Sequence, residues 1–115
     1  MSEVTTAETL LAAMQRKEQL ATREVEDAQA AMKRAEDEVS ITETILSQMR
    51  AHKFPAAHIE IVTALMEPEA AMVSACEERQ SAAEKQAAAA NQAVEMAAKH
   101  VQMQSEGAAG AVYGN

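Results

Sequence analysis

Three histidines, one cysteine and eighteen carboxylates are the side chains of this 115-residue chain that could do chemistry. A metal site built on helices needs ligands one turn apart, as Glu-x-x-His pairs or as two His on one face. Three residues before His52, His58 and His100 stand Met49, Pro55 and Ala97, and His52 and His58 are six positions apart, so neither pattern is present. Cys76 has no second cysteine to pair with, and it falls in an apolar stripe where it reads as a small core residue. There is no Gly-rich phosphate loop, no Gly-x-Ser-x-Gly elbow and no Cys-x-x-Cys. The acidic runs Glu24, Glu26, Asp27 and Glu36, Asp37, Glu38 read as solvated faces. The expectation is therefore no enzyme, no cofactor and no metal.

The elements that carry these side chains are helices. Ala, Glu, Gln, Met, Lys, Arg and Leu dominate, aromatic residues make up 2%, and only three Gly and two Pro interrupt the chain. These are the residue types that lose least on entering a helix. One chain of this length has room for one domain with a modest core. The fold class expected is all-α, a long antiparallel helical hairpin of coiled-coil type spanning residues 1–106. Its first helix is placed at about 5–50, the turn at about 51–55, and the second helix at about 56–105 with a kink or split near 67–68. Gly107 is placed to end that helix, leaving 107–115 as a flexible tail whose Ala-Val-Tyr could form a docking element.

The hairpin reading rests on an apolar heptad. Stepping alternately three and four residues from Val4 reaches Ala7, Leu11, Met14, Ala21, Val25, Ala28, Met32, Ala35, Val39, Leu46 and Met49, with Glu18 and Thr42 as polar exceptions. A strict seven-residue repeat keeps one stripe of a helix against its partner. The same stepping after Pro55 gives Ile59, Val62, Met66, Val73, Cys76, Ala83, Ala87, Ala90, Val94, Ala97 and Val101, broken by Glu69, Gln80 and Gln104. One position of the first-helix seam is mostly alanine (Ala7, Ala21, Ala28, Ala35), which lets two axes approach closely but gives little stability per turn.

A second stripe lies on another face of the second helix and includes Ile61, Leu65, Met72, Met96 and Met103, with Pro68, Ala75, Ala82, Ala89 and Ala93 between them and Arg79, Gln86 and His100 as exceptions. The first helix has a weaker counterpart, Leu10, Ala13, Leu20, Ala31, Ile41 and Ile45, interrupted by Lys17, Glu24, Asp27, Arg34 and Glu38. A helix apolar on two stripes needs more than one neighbour. Ile41, Ile45, Ile61, Leu65, Met72, Met96 and Met103 are therefore the candidate protein-binding residues.

The segment HKFPAAHIEIVTALMEP, from His52 to Pro68, holds both prolines, the only Phe and a dense set of branched residues. Pro55 disfavours helix just before it and suits the first turn of a new one, which places the reversal at Ala51 to Phe54. Pairing Met49 with Ile59 sets Leu46 opposite Val62 and Thr42 opposite Met66, leaves Phe54 to cap the end, and makes this the best-packed part of the hairpin. Pro68 should break the second helix, because it lacks an amide hydrogen and clashes with the preceding turn. Opposite it, Val39-Ser40-Ile41-Thr42 is a run of poor helix formers, with Ser40 and Glu43 spaced as a capping box like Thr5 and Glu8. Both arms are thus expected to weaken at one level.

The net charge of −8 repels a phosphate backbone, and the basic residues form no continuous patch, so direct nucleic-acid binding is not expected. Each half of the sequence, 1–50 and 51–115, carries four more acidic than basic side chains. No run is long enough to span a bilayer and no basic-then-apolar leader opens the chain, which points to a cytoplasmic protein. The function expected is structural or assembly: an acidic, Ala-rich hairpin that forms a homo-oligomer, or packs against helices of another protein in a complex. The alternatives are an acidic module that occupies a basic groove, and a small exported hairpin. In length and central turn the chain resembles the small hairpin substrates of specialised bacterial secretion. Phe54-Pro55 stands where those carry Trp-x-Gly, and Tyr113 is followed only by Gly114 and Asn115 rather than by a Tyr-x-x-x-Asp/Glu signal.

Overall fold

The computed structural model describes residues 6–112, and side chains as far as residue 106. Among the described residues there is no strand. Helix α1 (Ala7–Ala51) is followed by α2 (Ala56–Thr63) and α3 (Met66–Val112), an all-α hairpin whose second arm is interrupted once. Thr6 caps α1: its hydroxyl accepts the Thr9 amide at 3.1 Å and lies 2.8 Å from the Thr9 hydroxyl. The cap therefore falls one residue after the expected Thr5, which lies outside the described residues.

Helix α1 passes through Val39-Ser40-Ile41-Thr42 without a break. Each of these residues is less favourable than Ala by at most about 0.7 kcal/mol, which packing outweighs. Ser40 is no cap here; its carbonyl accepts both the helix ladder and the Thr44 hydroxyl at 3.0 Å. Only the second arm is interrupted at this level.

The reversal is made by backbone hydrogen bonds. The Phe54 amide donates to the Met49 carbonyl at 2.9 Å and the Lys53 amide to the Arg50 carbonyl at 3.1 Å, while Lys53 sits in the left-handed region at φ 56°. This pair of bonds closes a Schellman cap, which satisfies carbonyls that the end of α1 would otherwise leave open. Glycine is the usual residue at that position, and Lys53 occupies it at a cost in strain. Pro55, extended at φ −56° and ψ 144°, then starts α2 and accepts the His58 and Ile59 amides at 3.0 and 3.2 Å.

The second interruption precedes Pro68 rather than falling on it. Helix α2 ends at Thr63, the Leu65 amide turns back to the Val62 carbonyl at 3.0 Å, and α3 starts at Met66 with Pro68 in its first turn. A proline needs no amide partner in a first turn, and its ring clashes with the carbonyl four residues earlier, that of Ala64. The break therefore lies at 64–65. At the other end, α3 runs through Gly107 to Val112, well past the expected end near 105. Glycine costs about 1 kcal/mol against Ala in a helix without forbidding it, and Ala108, Ala109 and Ala111 are strong helix formers. Tyr113 lies outside the described residues.

The chain divides into two compact units, one of residues Met1–Glu24 with Ala83–Asn115, the other of Val25–Ala82. In the second, Ala28, Ala35, Thr42, Leu46, Met49 and Cys76 are buried, and Val25, Met32, Val39, Ile59, Val62, Met66 and Val73 are half-buried. In the first, Ala21 and Ala83 are buried and Leu11, Met14, Ala87, Ala90, Val94, Ala97 and Val101 are half-buried. These are the expected heptad positions; Gln104 alone of the described ones is exposed. At the turn end only the α1 side is well packed: Leu46 and Met49, the large apolar side chains of the buried core, lie there, whereas α2 has no fully buried residue and Phe54 is exposed. A two-turn helix at a chain reversal has neighbours on one side only.

Leu46→Ala should cost about 2–5 kcal/mol in urea unfolding, the range for truncating a buried leucine, whereas Ile61→Ala on the exposed face should stay within about 0.5 kcal/mol of the parent. Lys53→Gly should stabilise the chain by up to about 1 kcal/mol, because glycine relieves the left-handed strain while adding some freedom to the unfolded state. A shift to lower urea midpoint for Lys53→Gly would show that the Lys53 side chain contributes more than the strain removes.

Candidate protein-interaction surface

All seven residues expected to bind a partner are solvent-exposed. In the Val25–Ala82 unit, Ile41 and Ile45 lie one turn apart on α1, Ile61 on α2 is 70% exposed, Leu65 sits in the break, and Met72 on α3 is 60% exposed. Met72 lines a shallow cleft of about 220 Å³ with Ala35, Glu38, Pro68 and Glu69. Ile41, Ile45, Ile61 and Leu65 do not line that cleft.

Glu69 belongs to the heptad seam as well as to this cleft. The buried Thr42 hydroxyl donates to its Oε2 at 2.8 Å, so Thr42 bonds one turn beyond Met66, the residue expected opposite it. The other oxygen, Oε1, is buried without a hydrogen-bond partner. A second polar crossing lies in the other unit, where the Asn91 amide donates to Glu18 Oε2 at 2.7 Å. Both polar exceptions in the α1 heptad are thus hydrogen-bonded across to α3.

In the unit formed by the two chain ends, Met96 and Met103 are 72% and 66% exposed. They line an open groove of about 800 Å³ with Ala7, Leu10 and Met14 of α1 and Ala89, Gln92, Ala93, Ala97, Lys99, His100 and Gln104 of α3. Ala93 is half-buried there, drawn partly into the seam, while the rest of the outer stripe from Ala82 to Met103 is exposed. Leu10, Leu20 and Phe54 are exposed apolar side chains that the candidate set omitted. Leu10 belongs to the weaker stripe of α1, and Lys17 in the next turns hid its role as a groove wall. Leu20 lines a separate depression on α1 with Arg16 and Arg23.

The two units differ in charge. The Val25–Ala82 unit carries eleven acidic and five basic residues, a net −6; the other carries seven acidic and five basic, a net −2. The even division between sequence halves does not survive folding, because the fold joins the two ends of the chain and sets the middle apart. Among the described residues no cluster of three or more His, Cys, Asp or Glu could hold a metal, and no helix is long and apolar enough to cross a membrane. Cys76 is a buried free thiol. Comparison with family models, curated proteins and solved structures finds no match.

Thr42→Val should destabilise by about 1–3 kcal/mol, because it leaves the Glu69 carboxylate with no partner on either oxygen. Adding Glu69→Met should recover most of that loss and bring the double variant within about 1 kcal/mol of the parent, since replacing both partners removes the desolvated charge as well as the bond. Thermal unfolding of the two variants checks the pair; additive losses would mean that the two side chains act independently.

Proposed function

We propose that this protein is a non-enzymatic structural or assembly component, which associates through its exposed helix faces with a second copy or with helices of a larger complex. The observation that carries this reading is the exposure of Ile61, Met72, Met96 and Met103 at 60–72%. Single exposed apolar residues are ordinary on any surface, but these recur at helical spacing on α2 and α3. Methionine is suited to such a face, since its flexible thioether adapts to different partner shapes. Removing side chains of this size from water contributes roughly 1.5–3 kcal/mol each when burial is complete.

A second reading is an acidic binding module for a basic partner. The net −6 of the Val25–Ala82 unit favours it. Arg34, Arg50, Lys53 and Arg79 interrupt that surface, so the charge is broad rather than a regular row of carboxylates.

Sedimentation across a concentration series separates the two. The parent chain should associate, and Met72→Glu with Met96→Glu should prevent association while leaving helicity almost unchanged, because both residues are exposed in the single chain. Each buried carboxylate without a partner would cost several kcal/mol. A parent that remains monomeric throughout, with a double variant of equal stability, would move the assignment to the acidic module, whose complex with a basic protein should weaken steeply with salt.

A further inference from the structure

We infer that the groove at the chain-end unit is covered by the same groove of a second copy, with the two α3 helices antiparallel about a twofold axis near Met96. This interface presupposes the assembly role proposed above and adds to it an occupant and an orientation.

Charge selects this unit for self-association. From Gln86 to Ser105 the only fully charged side chains are Glu95 and Lys99, and the unit as a whole carries −2 against −6 for the other. Two copies can bring this face together without the mutual repulsion that the more acidic unit would impose. A partner of opposite charge has little to recognise here, because Lys99 and His100 are the groove's only titratable side chains.

The order of side chains then selects the orientation. Glu95 and Lys99 are exposed and lie one turn apart, on one edge of the apolar stripe. Parallel helices in register would leave this edge of each helix on opposite flanks of the interface, so that neither Glu95 nor Lys99 would meet its counterpart's charges. Antiparallel helices set each Lys99 beside the Glu95 of the other copy, which forms two reciprocal ion pairs. The same reversal orders the stripe by size: Met103 falls opposite Ala89, His100 opposite Ala93, and Met96 opposite itself at the axis. Large residues facing small ones are what two helices need to interdigitate at close approach. Leu10 on the groove's α1 wall would then close over the flank of the incoming α3 helix. A two-fold interface requires this kind of self-complementarity, since one patch must serve as both surfaces.

The test uses the full chain, with circular dichroism to confirm that each variant remains helical, which exposed substitutions should allow. Sedimentation equilibrium should show that Glu95→Lys and Lys99→Glu each weaken association about tenfold, as two ion pairs become two like-charge contacts, and that the double charge reversal restores it to within about threefold. In a Cys76→Ala background, Met96→Cys should form a disulfide-linked dimer on mild oxidation, and Met72→Cys should not. Association that persists unchanged in both single charge variants, or cross-links at Met72→Cys and not at Met96→Cys, would overturn this interface while leaving the assembly role intact. A parent chain that never associates would overturn both.

Discussion

Two helices can bury only one stripe of each other, and the rest of this structure follows from that limit. No large side chain is fully buried among the described residues, and the deepest apolar positions are alanines, Ala28 in one unit and Ala21 and Ala83 in the other. Small residues bring the axes close, so backbone and Cβ contacts replace the interdigitated leucines of a thicker bundle. Such a seam tolerates polar residues only where they find one another. Thr42 reaches Glu69 and Glu18 reaches Asn91, each pair joining α1 to α3. The Oε1 of Glu69 is buried without a hydrogen-bond partner.

The backbone imposes its own demands at the two interruptions. At the end of α1 the carbonyls of Met49 and Arg50 are satisfied by the amides of Phe54 and Lys53, which requires a left-handed residue and places it on Lys53. Near Pro68 the missing amide and the ring clash interrupt the helix at 64–65, where Ala64 keeps right-handed dihedrals and the Leu65 amide bonds three residues back to Val62, and the proline itself becomes part of the first turn of α3. The short helix between these two points carries Ile59 and Val62 toward the seam and leaves Ile61 in solvent. A connection that is itself helical offers an apolar face on either side, of which the hairpin covers one.

What the hairpin leaves uncovered is distributed by the same pairing of distant segments. Residues near the two chain ends fold into a unit of low net charge with a methionine-lined groove, while the middle of the chain forms a unit with most of the acidity. The uncovered apolar surface on each unit is therefore set in a different electrostatic environment.

Helix content, the seam and the place of the reversal were legible in the sequence. Alanine-rich composition favours helix locally, a seven-residue repeat such as Ala21, Ala28, Ala35 specifies a buried stripe, and Pro55 restricts the backbone beside it. These are properties of neighbours along the chain. The exposed faces were legible too, as Met96 and Met103 continue a second period on α3. Other features depended on residues far apart in sequence. The sharing of Glu69 between Thr42 and the seam, the joining of Leu10 to Met103 in one groove, and the separation of charge into −6 and −2 appear only when α1 is laid against α3. Lys53 in a glycine position also escaped the local code, because the Schellman bonds that hold it there depend on how the reversal closes rather than on the residue's own preference. Sequence determined which stripe of each helix is apolar; tertiary structure decided which side chains share a surface, since only the packed helices fix the distances between them.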